Sequence, residues 1–146
     1  LLYEGTVPGD LQAKGYYVPP VVFGDVTSDM SIAREEIFGP VLSVFRYDSV
    51  EEAIEIANDT EYGLTGAVWS ENMAVANRVA RRIEAGLVFV NNFINGFLGA
   101  PFGGYGRSGI GRKLGFEETM AEFTRTKTIR TSIAGTEPGD VDEYYD

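Results

Sequence analysis

The stretch VLSVFRYDSV EEAIEIANDT EYGLTGAVWS ENMAVANRVA RRIEAGLVFV N, from Val41 to Asn91, alternates two kinds of hydrophobic pattern. Val41 to Tyr47 is β-branched, aromatic and mostly apolar, as a strand covered on both faces should be. Ser49-Val50-Glu51-Glu52 fits a capping box, with Ser49 as N-cap and Glu52 at the third helical position. The helix it opens puts Val50, Ala53, Ile54 and Ala57 on one face and leaves Glu51, Glu52 and Glu55 largely outside, ending near Asn58. Leu64 to Trp69 reads as a second buried strand. Ser70 can cap a further helix that carries Met73, Ala76, Val79, Ala80 and Ile83 inward. Arg81 and Arg82 fall in its last turn, at the negative end of the dipole, and Gly86 follows as the stop. Leu87 to Asn91 is a third apolar strand. Strand–helix–strand–helix–strand with short connections predicts an α/β fold: a parallel sheet with flanking helices and right-handed crossovers.

Outside this stretch the pattern is weaker. Residues 1–15 are Gly-rich and read as a loop. Tyr16 to Phe23 is extended, but Pro19 and Pro20 demote it to an edge or irregular strand. A short helix from Ser28 or Asp29 through Arg34 stops before Gly39-Pro40. Asn95 to Gly111 holds seven glycines in 17 residues, and so long a loop in a compact domain is usually functional or an interface. Gly115 to Glu122 reads as a short helix. Phe123 to Ile133 reads as a strand with no evident partner in the chain. The tail from Gly135 carries five acids and no base, and is expected to be mobile.

Composition excludes several chemistries. The 146 residues are 44% hydrophobic, with 22 acids against 12 bases and neither Cys nor His. There is accordingly no disulfide framework, thiolate nucleophile, Ser-His-Asp triad or Cys- or His-built metal site, and no metal is expected. A net charge of −10 argues against nucleic acid, which needs a basic face. The acid excess suits ordinary solubility or a high-salt host. No apolar run approaches the roughly 18 residues of a membrane span, and no signal-peptide pattern is present, so no membrane association is expected. The Met-less start, Leu1-Leu2-Tyr3, suggests a piece of something longer.

Four features are candidates for a site. Gly104-Tyr105-Gly106-Arg107-Ser108-Gly109 satisfies the dinucleotide G-x-G-x-x-G pattern, but no strand leads directly into it, no long helix follows, and no acid sits about 20 residues on. A tight structural loop is the better reading. Glu35 and Glu36 are adjacent, so a paired acid/base role is disfavoured. Glu36 precedes the rigid turn Ile37-Phe38-Gly39-Pro40, and is either a helix-end carboxylate or an acceptor for a sugar diol. Phe93, Phe97, Phe102 and Tyr105 either close a core or form one apolar wall of a substrate tunnel. Asn58-Asp59-Thr60 is formally a glycosylation acceptor, set aside because nothing indicates secretion.

Glu35 to Val41, Ala57-Asn58-Asp59-Thr60-Glu61-Tyr62-Gly63-Leu64, Pro101 to Tyr105 and Ser108 to Arg112, in that order and spacing, resemble the C-terminal third of the NAD(P)-dependent aldehyde dehydrogenase superfamily. The likeness runs from about Gly15 to Ile133. It implies an enzyme that oxidises an aldehyde through a Cys thiohemiacetal, passes hydride to nicotinamide, and hydrolyses the thioester with a Glu-activated water. By the same resemblance Glu36 binds the nicotinamide-side ribose and Phe38 packs near the nicotinamide. Leu64 is a further nicotinamide-side contact, and Phe102 lines the substrate entrance. Thr126 to Ile133 resembles the family's oligomerisation strand, which pairs with another subunit. The implied division is 1–105 as the C-terminal part of the catalytic domain, 106–122 as glycine-rich loop and short helix, 123–134 as oligomerisation strand and 135–146 as acidic tail.

The family's nucleophile, general base and phosphate-binding half are expected upstream of these residues. No catalytic residue is therefore assigned here, and the chain alone is expected to be inactive. The parent enzyme would be cytoplasmic, oligomeric and dependent on NAD or NADP. Two alternatives are a non-catalytic oligomerisation module and a free-standing small nucleotide-binding α/β domain.

Overall fold

A computed structural model describes residues 1–93 and 99–131. The chain runs β1 (Tyr3–Glu4), α1 (Gly9–Gln12), β2 (Val21–Phe23), α2 (Ser31–Arg34), β3 (Val41–Ser43), α3 (Val50–Asn58), β4 (Tyr62–Gly63), β5 (Thr65–Val68), α4 (Met73–Ala80), β6 (Leu87–Val90), β7 (Tyr105–Gly106) and α5 (Phe116–Phe123). The fold is α/β. Strand β2 pairs in parallel with β3, Val21 opposite Val41, and β5 pairs in parallel with β6, Thr65 opposite Leu87. Each parallel pair is joined by a helix, α2 or α4, and α4 packs on both β5 and β6.

The local signals act where expected at α3. The Ser49 hydroxyl accepts the Glu52 N–H at 3.1 Å, and the Glu52 carboxylate accepts the N–H of Asp48, one residue before the cap. Helix α3 ends at Asn58. Helix α4 starts later than the sequence suggested. Its N-cap is Asn72, whose side chain accepts the N–H groups of Ala74 and Val75. Met73 and Ala57, assigned inward, are exposed, and α4 ends at Ala80, well before Gly86.

Three further expectations are corrected. Residues 1–15 are not all loop: β1 pairs antiparallel with β2, and α1 follows. That makes β2 the middle strand of its sheet, with both prolines lying just before it. Strand β3 belongs to the β1-β2-β3 sheet and not to the sheet of β5 and β6. The reason is β4, which interrupts the path from α3 to β5 and turns away to pair antiparallel with β7. Finally, α5 extends through Phe123, one residue past the expected end, and residues 124–131, for which the sequence offers no partner in the chain, pair with no strand among the described residues. Residues 132–133 of the expected oligomerisation strand and the acidic tail lie outside the described residues.

Burial is sparse. Among the described residues Val26, Ile54 and Ala76 are the buried apolar side chains, while Leu42 in β3 is 58% exposed. The chain exposes 12227 Å², where a folded monomer of 16.0 kDa would expose about 7,400 Å². The apolar faces that the sequence marks as core are formed but mostly only half-buried, as at Val50, Ala53, Val79, Ile83 and β6. Among the described residues no helix is long and apolar enough to cross a membrane.

Candidate functional site

The site is built around the turn between α2 and β3. Helix α2 stops because Glu35 is extended, and Phe38 then takes a left-handed conformation, φ +51°, which reverses the chain into Gly39-Pro40 and β3. A bulky residue rarely adopts that φ. The turn holds the Phe38 ring out from the chain, 92% exposed, and leaves the Glu36 side chain exposed beside it. Among the described residues Glu36 has no ion pair and no side-chain hydrogen bond.

The opposite wall is the segment from Asn58 to Leu64, and nearly every residue in it is tied down. The Asn58 amide donates to the Arg82 carbonyl at 2.8 Å and accepts the Glu84 N–H at 2.9 Å. Asp59 is held by Arg34 through two parallel bonds of 2.8 Å, and this guanidinium keeps the Asp59 carboxyl below its ordinary pKa. The Glu61 carbonyl accepts the Arg107 N–H at 2.8 Å and its carboxylate accepts the Arg107 guanidinium at 2.6 Å, raising the pKa of Arg107. Gly63 donates to the Ser108 hydroxyl at 3.0 Å. A Cβ on Gly63 would lie 2.6 Å from the Glu84 carbonyl, so only glycine lets the two segments approach.

These contacts explain the glycine-rich pattern from Gly104 to Gly109. Tyr105 and Gly106 form β7 against β4, Gly106 has φ +53° against the Glu61 carbonyl, and Ser108 turns back to Gly63. The next helix, α5, begins only at Phe116, so no helix follows the glycines directly as the dinucleotide pattern requires. The pattern is a structural turn.

An open cleft of about 630 Å³ has Glu36 on one side and Thr60, Leu64 and Thr65 on the other. Glu36 also lines a smaller adjoining cleft with Phe38. Leu64, 40% exposed, faces the first cleft and also a third, of about 630 Å³, which Phe102 lines. Neighbouring clefts thus share lining residues: Glu36 is common to the first and second, and Leu64 to the first and third, with Phe38 on the second and Phe102 on the third. The three described aromatics among the expected four, Phe93, Phe102 and Tyr105, do not stack on one another. Phe93 packs edge-on to Phe89 at 6.0 Å, Phe102 lies under Lys113, and Tyr105 lies under Arg112. Phe97 lies outside the described residues. Sequence reasoning missed Arg34, Asn58 and Asp59, whose roles depend on tertiary partners 24 to 26 residues away. The motif Asn58-Asp59-Thr60, set aside as a glycosylation acceptor, is the segment that carries two of these ties.

A sequence profile described as the aldehyde dehydrogenase family matches residues 1–129. The chain belongs to the aldehyde dehydrogenase family. The match starts at residue 1, earlier than Gly15, and so takes in β1 and α1, within the stretch that reads as loop from the sequence. Similar aldehyde dehydrogenases include tropH of Talaromyces stipitatus, 47% identical over 83% of this chain and 23% of its own length. The NADP/NAD-dependent aldehyde dehydrogenase PuuC of Escherichia coli is 46% identical over 91% of this chain and 26% of its own. Among solved structures, the Pseudomonas syringae indole-3-acetaldehyde dehydrogenase AldA in complex with NAD+ and IAA superposes with a TM-score of 0.74. It is 48% identical and covers 80% of this chain and 23% of that one. The chain spans about a quarter of the length of the curated relatives it matches, not the third expected.

Proposed function

We propose that this chain forms the nicotinamide-side wall of an NAD- or NADP-dependent aldehyde dehydrogenase that oxidises an aldehyde to a carboxylic acid. The observation that carries the reading is that Glu36 and Leu64 line one open cleft, Glu36 sharing a second cleft with Phe38 and Leu64 a third with Phe102. A carboxylate with no partner among the described residues suits a ribose diol, which offers two hydroxyl donors. The exposed Phe38 ring and the apolar Leu64 suit the planar nicotinamide, and Phe102 suits the entry path of an aldehyde. When bound, the nicotinamide accepts the hydride of the oxidised aldehyde. Glu36 fixes the ribose, Phe38 and Leu64 confine the ring, and Phe102 shields the path from water.

The chain contains no Cys, so the family's covalent step needs a nucleophile from elsewhere, and the 146 residues alone do not turn over aldehyde. The uncovered apolar surface supports a wall within a larger domain over a free-standing nucleotide-binding domain. The exposed segment 124–131 serves to pair with another subunit, and the enzyme works in the cytoplasm. The test is a titration of the intact enzyme carrying this chain with NAD+. Glu36→Gln is expected to weaken binding by roughly tenfold or more, since hydrogen bonds to a charged acceptor contribute about 1.5–3 kcal/mol. Unchanged affinity would sink the assignment.

A further inference from the structure

We infer that Arg34 is a positioning residue for cofactor binding, acting by clamping the Glu36 turn to the end of α3 through Asp59. The inference rests on the assignment of Glu36 given above. The cleft has two walls that no strand or helix joins directly: the turn after α2 carries Glu36, and the segment after α3 carries Thr60 and Leu64. Arg34 spans them. Its two terminal nitrogens each bond one Asp59 carboxylate oxygen at 2.8 Å, and one of them also bonds the Asp59 carbonyl at 3.0 Å. Its Nε donates to the Ser28 carbonyl, which ties the start of the same short segment to the same guanidinium. Planar, two-pronged pairing fixes orientation as well as distance, which a Lys ammonium does not do.

The positions make the consequence specific. Arg34 lies two residues before Glu36, and Asp59 lies one before Thr60 and five before Leu64. The clamp therefore sets how far the Glu36 carboxylate stands from the Leu64 wall. Helix α2 has four residues and no side-chain cap; the Ser43 hydroxyl ties it to β3 through the Ile32 carbonyl and the Val21 N–H ties Pro40 to β2, but neither bond reaches the Leu64 wall. As an isolated half-exposed pair it would contribute little to global stability. Its effect should appear in the width of the cleft.

The experiment measures dissociation constants of the intact enzyme carrying this chain for NAD+ and for ADP, which lacks the nicotinamide riboside. Arg34→Ala and Asp59→Ala should each weaken NAD+ about tenfold, as misplacing a binding group does, and leave ADP within about twofold. The double variant should be no worse than either single one, because both remove the same clamp. Arg34→Lys and Asp59→Asn, which keep the shape of the site, should fall between, near threefold. NAD+ affinity within about twofold in Arg34→Ala, equal losses for NAD+ and ADP, or additive losses in the double variant would each overturn the clamp. If Arg34→Ala fails to fold, the Lys and Asn variants decide on the same NAD+ to ADP contrast. Glu36→Gln is measured alongside. If it weakens NAD+ while Arg34→Ala does not, only the clamp falls; if it leaves NAD+ unchanged, the assignment of Glu36 falls.

Discussion

Phe38 combines two properties that normally exclude each other, a bulky side chain and a left-handed backbone. The conformation costs a non-glycine residue about 1–2 kcal/mol. With its ring almost fully exposed, Phe38 recovers little of that through burial within the chain. Glycine would relieve the strain while losing about 0.5–1 kcal/mol in unfolded-chain entropy. Phe38→Gly should therefore leave the thermal midpoint of the intact enzyme unchanged or slightly raised, while NAD+ affinity falls. A drop in the midpoint would mean that the ring packs structurally. Asp59 makes a second residue-scale prediction. Its carboxyl is held below the ordinary value of about 3.9, first by the hydrogen bonds from Arg34. The folded state then binds its proton less readily than the unfolded state. The stabilisation is fully present above the ordinary value and is lost as pH falls through the depressed one. The midpoint difference between the parent and Asp59→Asn should thus be constant from neutrality down to about pH 5 and shrink below about pH 4. A difference that persists into strong acid would contradict the pairing.

Element boundaries show which signals are local and which are not. The capping box at Ser49 is a contact among neighbours, so it is readable directly, and α3 begins where it says. Ser70 is an equally good cap by residue type, yet α4 waits for Asn72. The cause is Asn91, whose side chain accepts the Ser70 N–H at 2.8 Å and donates to the Ser70 carbonyl at 2.9 Å. Ser70 is still bound at the end of the β5–β6 pair and cannot start a helix. That constraint comes from 21 residues away and leaves no trace in the local pattern. The pairing of β4 with β7 is hidden for the same reason, since Gly63 meets Ser108 across 45 residues. The turn carrying Glu36 was legible because Gly39-Pro40 limits the backbone, whereas the Arg34 and Asn58 ties were not. Asn72→Ala should cost about 1 kcal/mol, within a range of roughly 0.5–2, and Ser70→Ala clearly less. Chemical denaturation of both variants checks the order, and a larger loss at Ser70 would return the cap to it.

At the scale of the whole molecule, the parallel pairs and the helices are correct for an α/β domain, but they do not enclose a core. Val41 to Tyr47 looks like a strand covered on both faces, and in this chain Leu42 stands exposed. The hydrophobic pattern reports what must be covered; it does not say which residues cover it. The two sheets, β1-β2-β3 and β5-β6, share no hydrogen-bonded edge among the described residues, so nothing zips them into one. Zero Cys is consistent with the proposed role as one wall of a larger site, since a thiolate nucleophile would have to come from elsewhere. The excess exposure over a folded monomer of this mass has a measurable consequence. Apolar surface left open on this scale favours self-association and binds hydrophobic dyes. Expressed alone, residues 1–146 should bind such a dye strongly, melt without a sharp transition, and elute as assemblies larger than 16.0 kDa. The same segment within the intact enzyme should show none of these. A monomer that melts cooperatively without dye binding would mean that these faces find partners within the chain, and the wall-of-a-larger-domain reading would fail with it.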